Sequence, residues 1–585
     1  MGGQVKDVEK QLTGGAGSTG STPQPTTVGD VDEPSAAVVG MVRRWRRVPT
    51  IVWAITGLHV TLMVLCSVLY PPFTGYDEAW HVDMTWSYYQ GNGVYGPGQR
   101  LMDRGIEVAV ESVQTPPPNV PYADAPILPR DQRLSFGELS DDRPVTYPVP
   151  NQMVQHPPLY YAVEAGLLHA IPGSENLPYD QQVWLLRLFS ILLMAPVPLL
   201  CWATARRLVG DGPAPVLAAL VPVTIPGLSR LGGSVNNDNL LILLFTALIY
   251  VLARVVTGDL RKRTGLLVGV LGTLALLTKG FALVLPVVIA AAYGAAWLRH
   301  RRRPLAPVGI AALVIGAFGS AWWVRNLVLY GAVQPSGLGP YWTAQIAGPS
   351  RPGGTATAFV PGFFRRLVAR VWGGFGLPDV PHLHERVVDS WFILLVVGAL
   401  IGVGYGIGRD GRRGRLAAAV FLLPIVGILG IVFTGSLDAF LFNQRYAGVQ
   451  GRYLYPGLAG LAVLAAWGWC RLAGRGARFL PLVVALAGLA TQARAWMLLM
   501  ISWWAPRTDG YGVAALREAL GGVLRWSPWP HKVTLVPFVL FVLLSLAILA
   551  LSVRGALRQS TLSASPVTRD PGRPVLLDGA AADGS

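Results

Sequence analysis

Apolar segments of membrane-spanning length recur along the whole 585-residue chain, and they leave few folds open to it. The chain is 52% hydrophobic and only 14% charged, and its mean hydropathy is +0.44. A water-soluble domain of this size cannot bury so much apolar surface, whereas a helix of about 20 apolar residues can cross a bilayer. The sequence therefore predicts an all-α polytopic membrane protein. The predicted crossings are 51–70, 183–207, 213–230, 236–257, 264–278, 280–298, 305–329, 387–408, 415–435, 452–471, 478–500 and 533–553.

Basic residues collect in short clusters between these segments and give the chain a net charge of +16. Such clusters mark the cytoplasmic loops of membrane proteins, so the charge indicates a bilayer and not a nucleic acid as the partner. The clusters alternate correctly only if a thirteenth apolar stretch, 157–172, does not cross. Both termini are then cytoplasmic, in a multi-pass protein of the plasma membrane. If 157–172 does cross, every later cluster changes side unless another segment fails to cross.

Composition divides the chain into three regions. Residues 1–48 are polar and rich in Gly, Ser, Thr and Pro, and residues 556–585 are again polar, so both are predicted to be disordered tails. Residues 49–555 form the predicted transmembrane domain, with large outer loops at about 71–182 and 330–386. The three cysteines lie in or beside apolar segments and indicate neither a disulfide framework nor a metal site.

Two adjacent carboxylates, Asp77 and Glu78, follow the first apolar segment at its predicted outer end. Carboxylates beside a membrane are costly to desolvate, so this placement is more often functional than decorative. One of them could be a general base that takes a proton from a hydroxyl group, or a metal ligand. The alternative is the solvated start of a loop. His81 shares a face with both acids if the segment is helical, and it either binds substrate or a metal, or is structural.

A further acid lies at the same boundary, where Asn237-Asp238 opens a predicted membrane helix. Both residue types suit a helix N-cap, and a cap is compatible with a functional role. Asp238, if it lies near Asp77, could share a divalent cation with it. The sequence permits such a cation without requiring it.

Three cations, Lys279, Arg325 and Arg452, also fall at the predicted outer boundary, as does His156. Each cation alone has a structural explanation, because a lysine can snorkel to the interface and an arginine can lie in an aromatic belt. Together they are opposite to the side on which positive charge normally accumulates. They therefore indicate an anion on the outside, such as a lipid phosphate.

These motifs, taken in order, make the chain resemble the GT-C superfold of polyprenyl-phosphate-sugar-dependent membrane glycosyltransferases. That group includes the protein O-mannosyltransferases and the lipid A aminoarabinose transferases, and the late motifs look most like a little-characterised bacterial branch. The resemblance covers about residues 50 to 470. Its motifs are Tyr76-Asp77-Glu78, His156-Pro157-Pro158-Leu159-Tyr160-Tyr161, Arg187-Leu188, Asn237-Asp238, Trp323-Val324-Arg325-Asn326 with Tyr330-Gly331, and Gln450-Gly451-Arg452-Tyr453-Leu454-Tyr455-Pro456.

The resemblance implies a bundle of about 12–13 transmembrane helices with a large first extracytoplasmic loop. It implies that Asp77 is the catalytic base with Glu78 beside it, and that Asp238 is the second acidic position. A sugar would move from a polyprenyl-phosphate donor to an extracytoplasmic glycan, lipid or protein, with inversion at the anomeric carbon. The residues expected to bind substrate are His81, His156, Asn237, Asp238, Lys279, Arg325, Asn326, Arg452 and Tyr453.

Two other functions fit parts of the pattern. A transporter or flippase for a lipid-linked or small solute would also have many crossings, but such proteins tend to show internal repeats and charges at mid-bilayer. A non-catalytic partner in an envelope complex would retain the fold without the reaction.

Overall fold

A computed structural model describes residues 48–113, 128–141, 143–146, 149–340, 353–372, 383–505 and 512–564. These residues form helices and turns and contain no β-strand, which confirms the predicted all-α fold. The chain divides into two units, Met1–Pro49 and Thr50–Ser585, and every helix named below belongs to the second. The predicted N-terminal tail, apart from its last residue, lies outside the described residues.

Twenty-two α-helices follow one another along the described part of the chain. They are α1 (Thr50–Leu69), α2 (Glu78–Tyr89), α3 (Arg104–Ser112), α4 (Phe136–Leu139), α5 (Leu159–Ala170), α6 (Tyr179–Met194), α7 (Val197–Val209), α8 (Pro213–Leu220), α9 (Pro226–Gly232), α10 (Asp238–Val256), α11 (Lys262–Leu276), α12 (Leu285–His300), α13 (Leu305–Val314), α14 (Ala321–Tyr330), α15 (Ala356–Trp372), α16 (Glu385–Tyr405), α17 (Arg412–Ala419), α18 (Leu423–Asn443), α19 (Leu458–Ala473), α20 (Leu480–Trp504), α21 (Val513–Trp526) and α22 (His531–Ala564).

Short helical turns of other types join several of these helices. Those of the 3-10 type are Arg130–Gln132, Gln152–Gln155, Ser174–Asn176, Val221–Thr224, Gly280–Val284, Val420–Leu422, Gly451–Gly457 and Gly474–Phe479, and Ile315–Gly319 is a π turn. Helix α22 runs past residue 556, where the C-terminal tail was predicted to begin, and ends at Ala564. The rest of that predicted tail lies outside the described residues.

All twelve predicted crossings are helical, but they are not twelve equal spans. Eight helical runs in the described residues are long and apolar enough to cross a membrane. The number rises to ten if each of two bent helix pairs is counted as one crossing. Helix α11 has 15 residues, which is only about 22 Å. The 54-residue run Gly451–Trp504 contains both α19 and α20, divided by the turn Gly474–Phe479. The difference between ten and the predicted twelve is therefore α11, which is short, and this run, which is counted once although it contains two predicted crossings.

Two of the predicted crossings are bent where the sequence pattern indicated straight helices. The chain turns by 71° between Pro213–Thr224 and Pro226–Gly232, because Ile225 has an extended backbone and Pro226 starts a new helix. It turns by 45° between Leu305–Gly319 and Ala321–Tyr330, directly after the π turn. Both bends have the causes that usually interrupt a helix.

Helix α10 is the most buried of the spanning helices, since 72% of its most apolar 18 residues are buried inside the protein. It packs against α6, α7, α11, α12 and α19. Because apolar residues surround its whole circumference, it can lie at the centre of the bundle. Its first residue is Asp238, so the most enclosed helix begins at a predicted site residue.

The first outer loop is fixed to α2 by one buried carboxylate. Asp83 Oδ1 accepts hydrogen bonds from Arg100 Nη2 at 2.7 Å and from the backbone nitrogen of Asp103 at 2.8 Å, and Oδ2 accepts one from Asn151 Nδ2 at 2.7 Å. Helix α5, which covers most of the stretch 157–172, packs against α2. With 12 residues α5 is about 18 Å long and is not among the candidate spans, as the charge pattern predicted.

Candidate active site

Asp77 precedes α2 with a left-handed backbone, at φ 55° and ψ 22°. The residue before a helix usually has an extended backbone and caps the helix with its side chain, but the Asp77 side chain makes no capping hydrogen bond. Its carboxylate Oδ2 accepts a hydrogen bond from Arg452 Nη2 instead, and the side chain remains 36% exposed. A carboxylate at the helix start is therefore both held by a cation and accessible.

Glu78, the neighbouring acid, is fully buried and points into the protein. Its two carboxylate oxygens accept hydrogen bonds from Arg187 Nε at 2.8 Å and Nη2 at 2.6 Å, and Oε1 also accepts one from the backbone nitrogen of Val235 at 2.9 Å. Arg187 donates its other hydrogen bonds to carbonyl oxygens at the end of α1, those of Ser67, Tyr70 and Pro71. Glu78 thus joins α1, α2 and α6 and does not line the pocket described below.

The segment before α10 holds Asp238 in place through its backbone. Asn236 Oδ1 accepts a hydrogen bond from the Asp238 nitrogen at 2.9 Å, and Asn236 Nδ2 donates one to the carbonyl oxygen of Tyr76 at 2.8 Å. Asn237 makes no side-chain cap; its Oδ1 accepts a hydrogen bond from Lys279 Nζ at 3.2 Å. Lys279 Nζ also lies 2.7 Å from Asp238 Oδ1 in an ion pair. Asn237 and Asp238 together therefore bind the lysine.

Arg452 connects the two acids that are far apart in the sequence. In addition to its contact with Asp77, its Nε lies 3.6 Å from Asp238 Oδ2. Its guanidinium lies over the ring of Tyr76, 4.7 Å from the centroid. A Cβ on Gly451 would lie 2.2 Å from the backbone nitrogen of Val371, so only glycine lets this turn pack on α15. Glycine before Arg452 is thus what brings the guanidinium to the acids.

These groups border a cavity of about 390 Å³. Asp77 and Arg452 are 375 positions apart in the sequence, and Lys279 is contributed by the turn between α11 and α12. Asp238 lies behind the two cations, with 1% of its side chain exposed. The lining residues are Asp77, His81, Gln152, Met153, Gln155, His156, Lys279, Gly280, Phe281, Leu283, Gln334, Ile431, Arg452 and Tyr453.

Two histidines, His81 and His156, line the cavity. The sequence predicted that both lie at the same boundary as the acids. His81 is one helical turn after Asp77, and its Nδ1 lies 3.0 Å from the hydroxyl oxygen of Tyr161. Burial, with the positive charges of Lys279 and Arg452, holds the pKa of His81 well below its ordinary value of 6.5. Burial and the Lys279 charge do the same to the pKa of His156. Both imidazoles are therefore neutral at physiological pH.

Tyr453 completes the wall next to the cations. Its ring centroid lies 5.3 Å from Lys279 Nζ and 5.4 Å from the guanidinium carbon of Arg452, and 4.8 Å from the ring centroid of Phe281. An aromatic face beside two desolvated cations lowers the cost of burying them.

Arg325 and Asn326 are not brought to the cavity. Arg325 Nη1 donates a hydrogen bond to Asn326 Oδ1 at 3.0 Å, and the guanidinium carbon lies 5.1 Å from the ring centroid of Trp322. Asn326 Nδ2 donates to the carbonyl oxygen of Val333 at 3.3 Å. Neither side chain lines the cavity.

Several residues that the sequence did not single out contribute to the site. Gln152, Gln155 and Gln334 line the cavity, and no spacing in the sequence marks loop glutamines for such a role. Arg187 belonged to one motif of the resemblance but was given no role, although an arginine within an apolar segment needs a buried partner. Glu164 on α5 is fully buried and accepts a hydrogen bond from the Thr85 hydroxyl of α2 at 2.7 Å. Burial raises the pKa of Glu164 from 4.5 to about 8.

The residues present do not fit a divalent cation shared by Asp77 and Asp238. Arg452 contacts both carboxylates and Lys279 contacts one, so cations already neutralise both acids. A calcium or magnesium site needs several oxygen ligands directed at one point. In the described ranges, no group of three or more His, Cys, Asp and Glu side chains could hold a metal ion.

Among solved structures, the chain is similar to ArnT from Cupriavidus metallidurans. The apo structure has a TM-score of 0.40 and 15% identity, covering 88% of this chain and 78% of that one. The structure bound to undecaprenyl phosphate has a TM-score of 0.41 and 14% identity, covering 89% and 78%. The archaeal oligosaccharyltransferase AglB from Archaeoglobus fulgidus, in complex with an inhibitory peptide and a dolichol-phosphate, has a TM-score of 0.32 and 12% identity, covering 85% and 56%.

No curated protein matches the chain. A family model described as "Predicted membrane protein (DUF2142)" does match it, over residues 60–461. Since the match covers more than half of the chain, including the whole candidate site, the protein belongs to the DUF2142 family of predicted membrane proteins.

Proposed function

We propose that this protein is a membrane glycosyltransferase that moves a sugar from a polyprenyl-phosphate donor to an extracytoplasmic acceptor. The observation that carries the proposal is the convergence of two acids and two cations on one cavity. Asp77, Asp238, Lys279 and Arg452 come from four separate parts of the chain, and their ion pairs link them into one group. A merely structural set of charges would not need to leave an accessible carboxylate beside a cavity of about 390 Å³.

The donor phosphate would bind to Arg452 and Lys279. Arg452 Nη1 is buried and has no hydrogen-bond partner among the described residues, so this donor is available to an anion. A guanidinium and a phosphate form strong charge-assisted hydrogen bonds. As the donor's bond to the sugar breaks, negative charge builds up on the phosphate, so both cations stabilise the transition state more than the ground state.

The acceptor hydroxyl would be deprotonated by Asp77. In this reaction the acceptor oxygen forms a bond to the anomeric carbon while the bond from that carbon to the phosphate oxygen breaks. The hydroxyl proton passes to the Asp77 carboxylate, and the electron pair of the broken bond stays on the lipid phosphate. Because the acceptor attacks opposite the leaving phosphate, the anomeric configuration inverts.

The neutral histidines and the glutamines would bind the sugar. His81, His156, Gln152, Gln155 and Gln334 offer both donors and acceptors, as sugar hydroxyl groups require. The exposed side chains of Leu283 and Ile431 at the cavity lead towards the lipid and suit a prenyl chain. Glu78 has a positioning role in this proposal, because it holds the start of α2 and hence Asp77.

The proposal places this cavity on the outer face of the plasma membrane, with both termini in the cytoplasm. Nucleotide sugars are cytoplasmic, so an outward site calls for a lipid-linked donor. This sidedness comes from the charge pattern of the loops. Cysteines introduced at exposed positions beside the cavity would react with an impermeant reagent in intact cells if it is correct.

The decisive experiment is transfer from a radiolabelled polyprenyl-phosphate sugar by the purified protein in liposomes. Asp77→Asn keeps the shape of the side chain but removes the base, so transfer should fall by about 10²–10⁴-fold. Asp438→Asn is the matched control, since Asp438 is an exposed acid on α18. Full transfer by Asp77→Asn would refute the role of Asp77. Passage of the labelled lipid across the bilayer without transfer would instead support the transporter hypothesis.

A further inference from the structure

A second cavity of about 330 Å³ lies at the opposite end of α19 from Arg452. Helix α19 has 16 residues, so about 24 Å of helix separates this cavity from the candidate active site. Two turns form its walls: the one between α7 and α8, and the 3-10 turn Gly474–Phe479 between α19 and α20. The cavity is therefore separate from the site described above.

Three arginines line this cavity: Arg471, Arg475 and Arg478. The acid in its wall, Asp211, accepts a hydrogen bond from Arg206 Nε at 2.6 Å, so its charge is already compensated. The Nε of Arg478 is buried and has no hydrogen-bond partner among the described residues. A buried guanidinium nitrogen without a partner is costly and indicates a missing acceptor.

Three glycines in the wall of the cavity face open space. A Cβ added to Gly210, Gly212 or Gly474 would meet no atom within 4 Å. The walls could therefore approach a ligand closely through their backbone. Basic residues are expected on this side of a membrane protein from the positive-inside preference alone. That preference does not explain why two basic turns enclose a cavity or why a buried guanidinium nitrogen lacks an acceptor.

The surroundings of the cavity are those expected at the level of lipid headgroups. Trp467 is in its wall, and the ring centroid of Trp467 lies 5.3 Å from the guanidinium carbon of Arg471. Leu472, just before the turn, and Phe479, at its end, are 58% and 42% exposed. Apolar and aromatic side chains next to arginines, at the junction of two apolar helices, are typical of the membrane interface.

We propose that this second cavity binds the phosphate of an anionic phospholipid headgroup from the adjacent leaflet. The three guanidinium groups supply the charge, the Arg478 Nε gains its missing acceptor, and the exposed apolar rim contacts the acyl chains. The bound lipid would hold the α7–α8 turn against the α19–α20 turn. This proposal does not depend on the proposed transferase activity, because it concerns the other end of the bundle.

The test is native mass spectrometry of the purified full chain in detergent, titrated with phosphatidylglycerol or with phosphatidylcholine. One phosphatidylglycerol should bind with a marked preference over phosphatidylcholine. The triple variant Arg471→Gln, Arg475→Gln, Arg478→Gln should bind it roughly 100-fold more weakly, since each basic residue near an anionic lipid contributes about fivefold. The matched control is Arg301→Gln, Arg302→Gln, Arg303→Gln, which removes the same charge from another basic loop and should bind normally.

A single substitution, Arg478→Lys, still tests the proposal if the triple variant misfolds. It keeps the charge but loses Nε and the planar fork, so it should weaken binding by about tenfold. Equal loss in the control triple variant, or equal binding of phosphatidylcholine, would overturn the proposal. A rise in melting temperature with inorganic phosphate alone, without retention of phosphatidylglycerol, would show a site for a soluble anion and would overturn it too.

Discussion

The carboxylate of Glu78 and the guanidinium of Arg187 form a buried bidentate ion pair, although they are 109 positions apart in the chain. Arg187 belongs to an apolar helix, and its remaining hydrogen bonds go to carbonyl oxygens at the end of α1. The pair therefore fixes the direction in which the chain leaves the first membrane helix. Because Asp77 directly precedes Glu78, the same pair fixes the accessible carboxylate of the candidate site.

Glu78→Gln should destabilise the protein strongly. The substitution leaves the Arg187 guanidinium buried without its counter-charge, and breaking a buried pair by removing one partner costs about 3–5 kcal/mol. The free energy of unfolding, measured by denaturant titration in detergent, should fall by this amount. Glu111→Gln is the control, since Glu111 is exposed on α3. Equal stability of the two variants would mean that the pair does not hold the α1–α2 junction.

Arg452→Lys should lower transfer although it conserves the charge. A lysine ammonium cannot contact Asp77 and Asp238 together and also direct a second nitrogen at the donor phosphate. Removing one such preorganised donor typically costs about 10²–10³-fold in kcat. The rate should be measured with saturating donor in liposomes. Arg365→Lys, at an exposed position on α15, should keep the wild-type rate. If Arg452→Lys transferred sugar as fast as Arg365→Lys, the bridging role of the Arg452 guanidinium would be excluded.

The sequence predicted the charged part of the site because charges at the ends of apolar segments stand out. Asp77, Asp238, Lys279 and Arg452 were all expected at one boundary, and the structure brings them into contact. Hydropathy gives the depth of a residue in the membrane but not its position around the bundle. Arg325 was therefore expected at the same boundary, but its hydrogen bond and its contact with the Trp322 ring are within its own helix.

The sequence was less informative about partners and helix shape. Nothing local to Glu78 reveals that Arg187 binds it, so it could not be distinguished from Asp77, whose left-handed backbone turns the neighbouring carboxylate another way. The helix pattern continues through Ile225, where the chain turns by 71°. Such a bend depends on packing, and the spacing of apolar residues in the sequence does not predict it.

The left-handed backbone of Asp77 predicts different stabilities for two variants that both lack the carboxylate. Alanine at φ 55° is strained by its Cβ, whereas glycine is not. Asp77→Gly should therefore be more stable than Asp77→Ala by about 1 kcal/mol, and both should be inactive in transfer. The melting temperatures of the two variants, measured in the same detergent, make the comparison. An alanine variant at least as stable as the glycine variant would contradict the left-handed conformation.

Glu164 gives the stability of the protein a pH dependence of predictable sign. Burial raises its pKa from 4.5 to about 8, so the folded state favours the protonated carboxyl group. This contribution is fully present below about pH 4.5 and is lost as the pH rises through about 8, because the unfolded chain then ionises more readily. Glu164→Gln keeps the neutral shape that the Thr85 hydroxyl contacts. Its melting temperature should fall less than that of the wild type between pH 5 and 9. The exposed Glu385→Gln should follow the wild type, and a Glu164→Gln curve parallel to both would show that Glu164 is ionised in the folded protein.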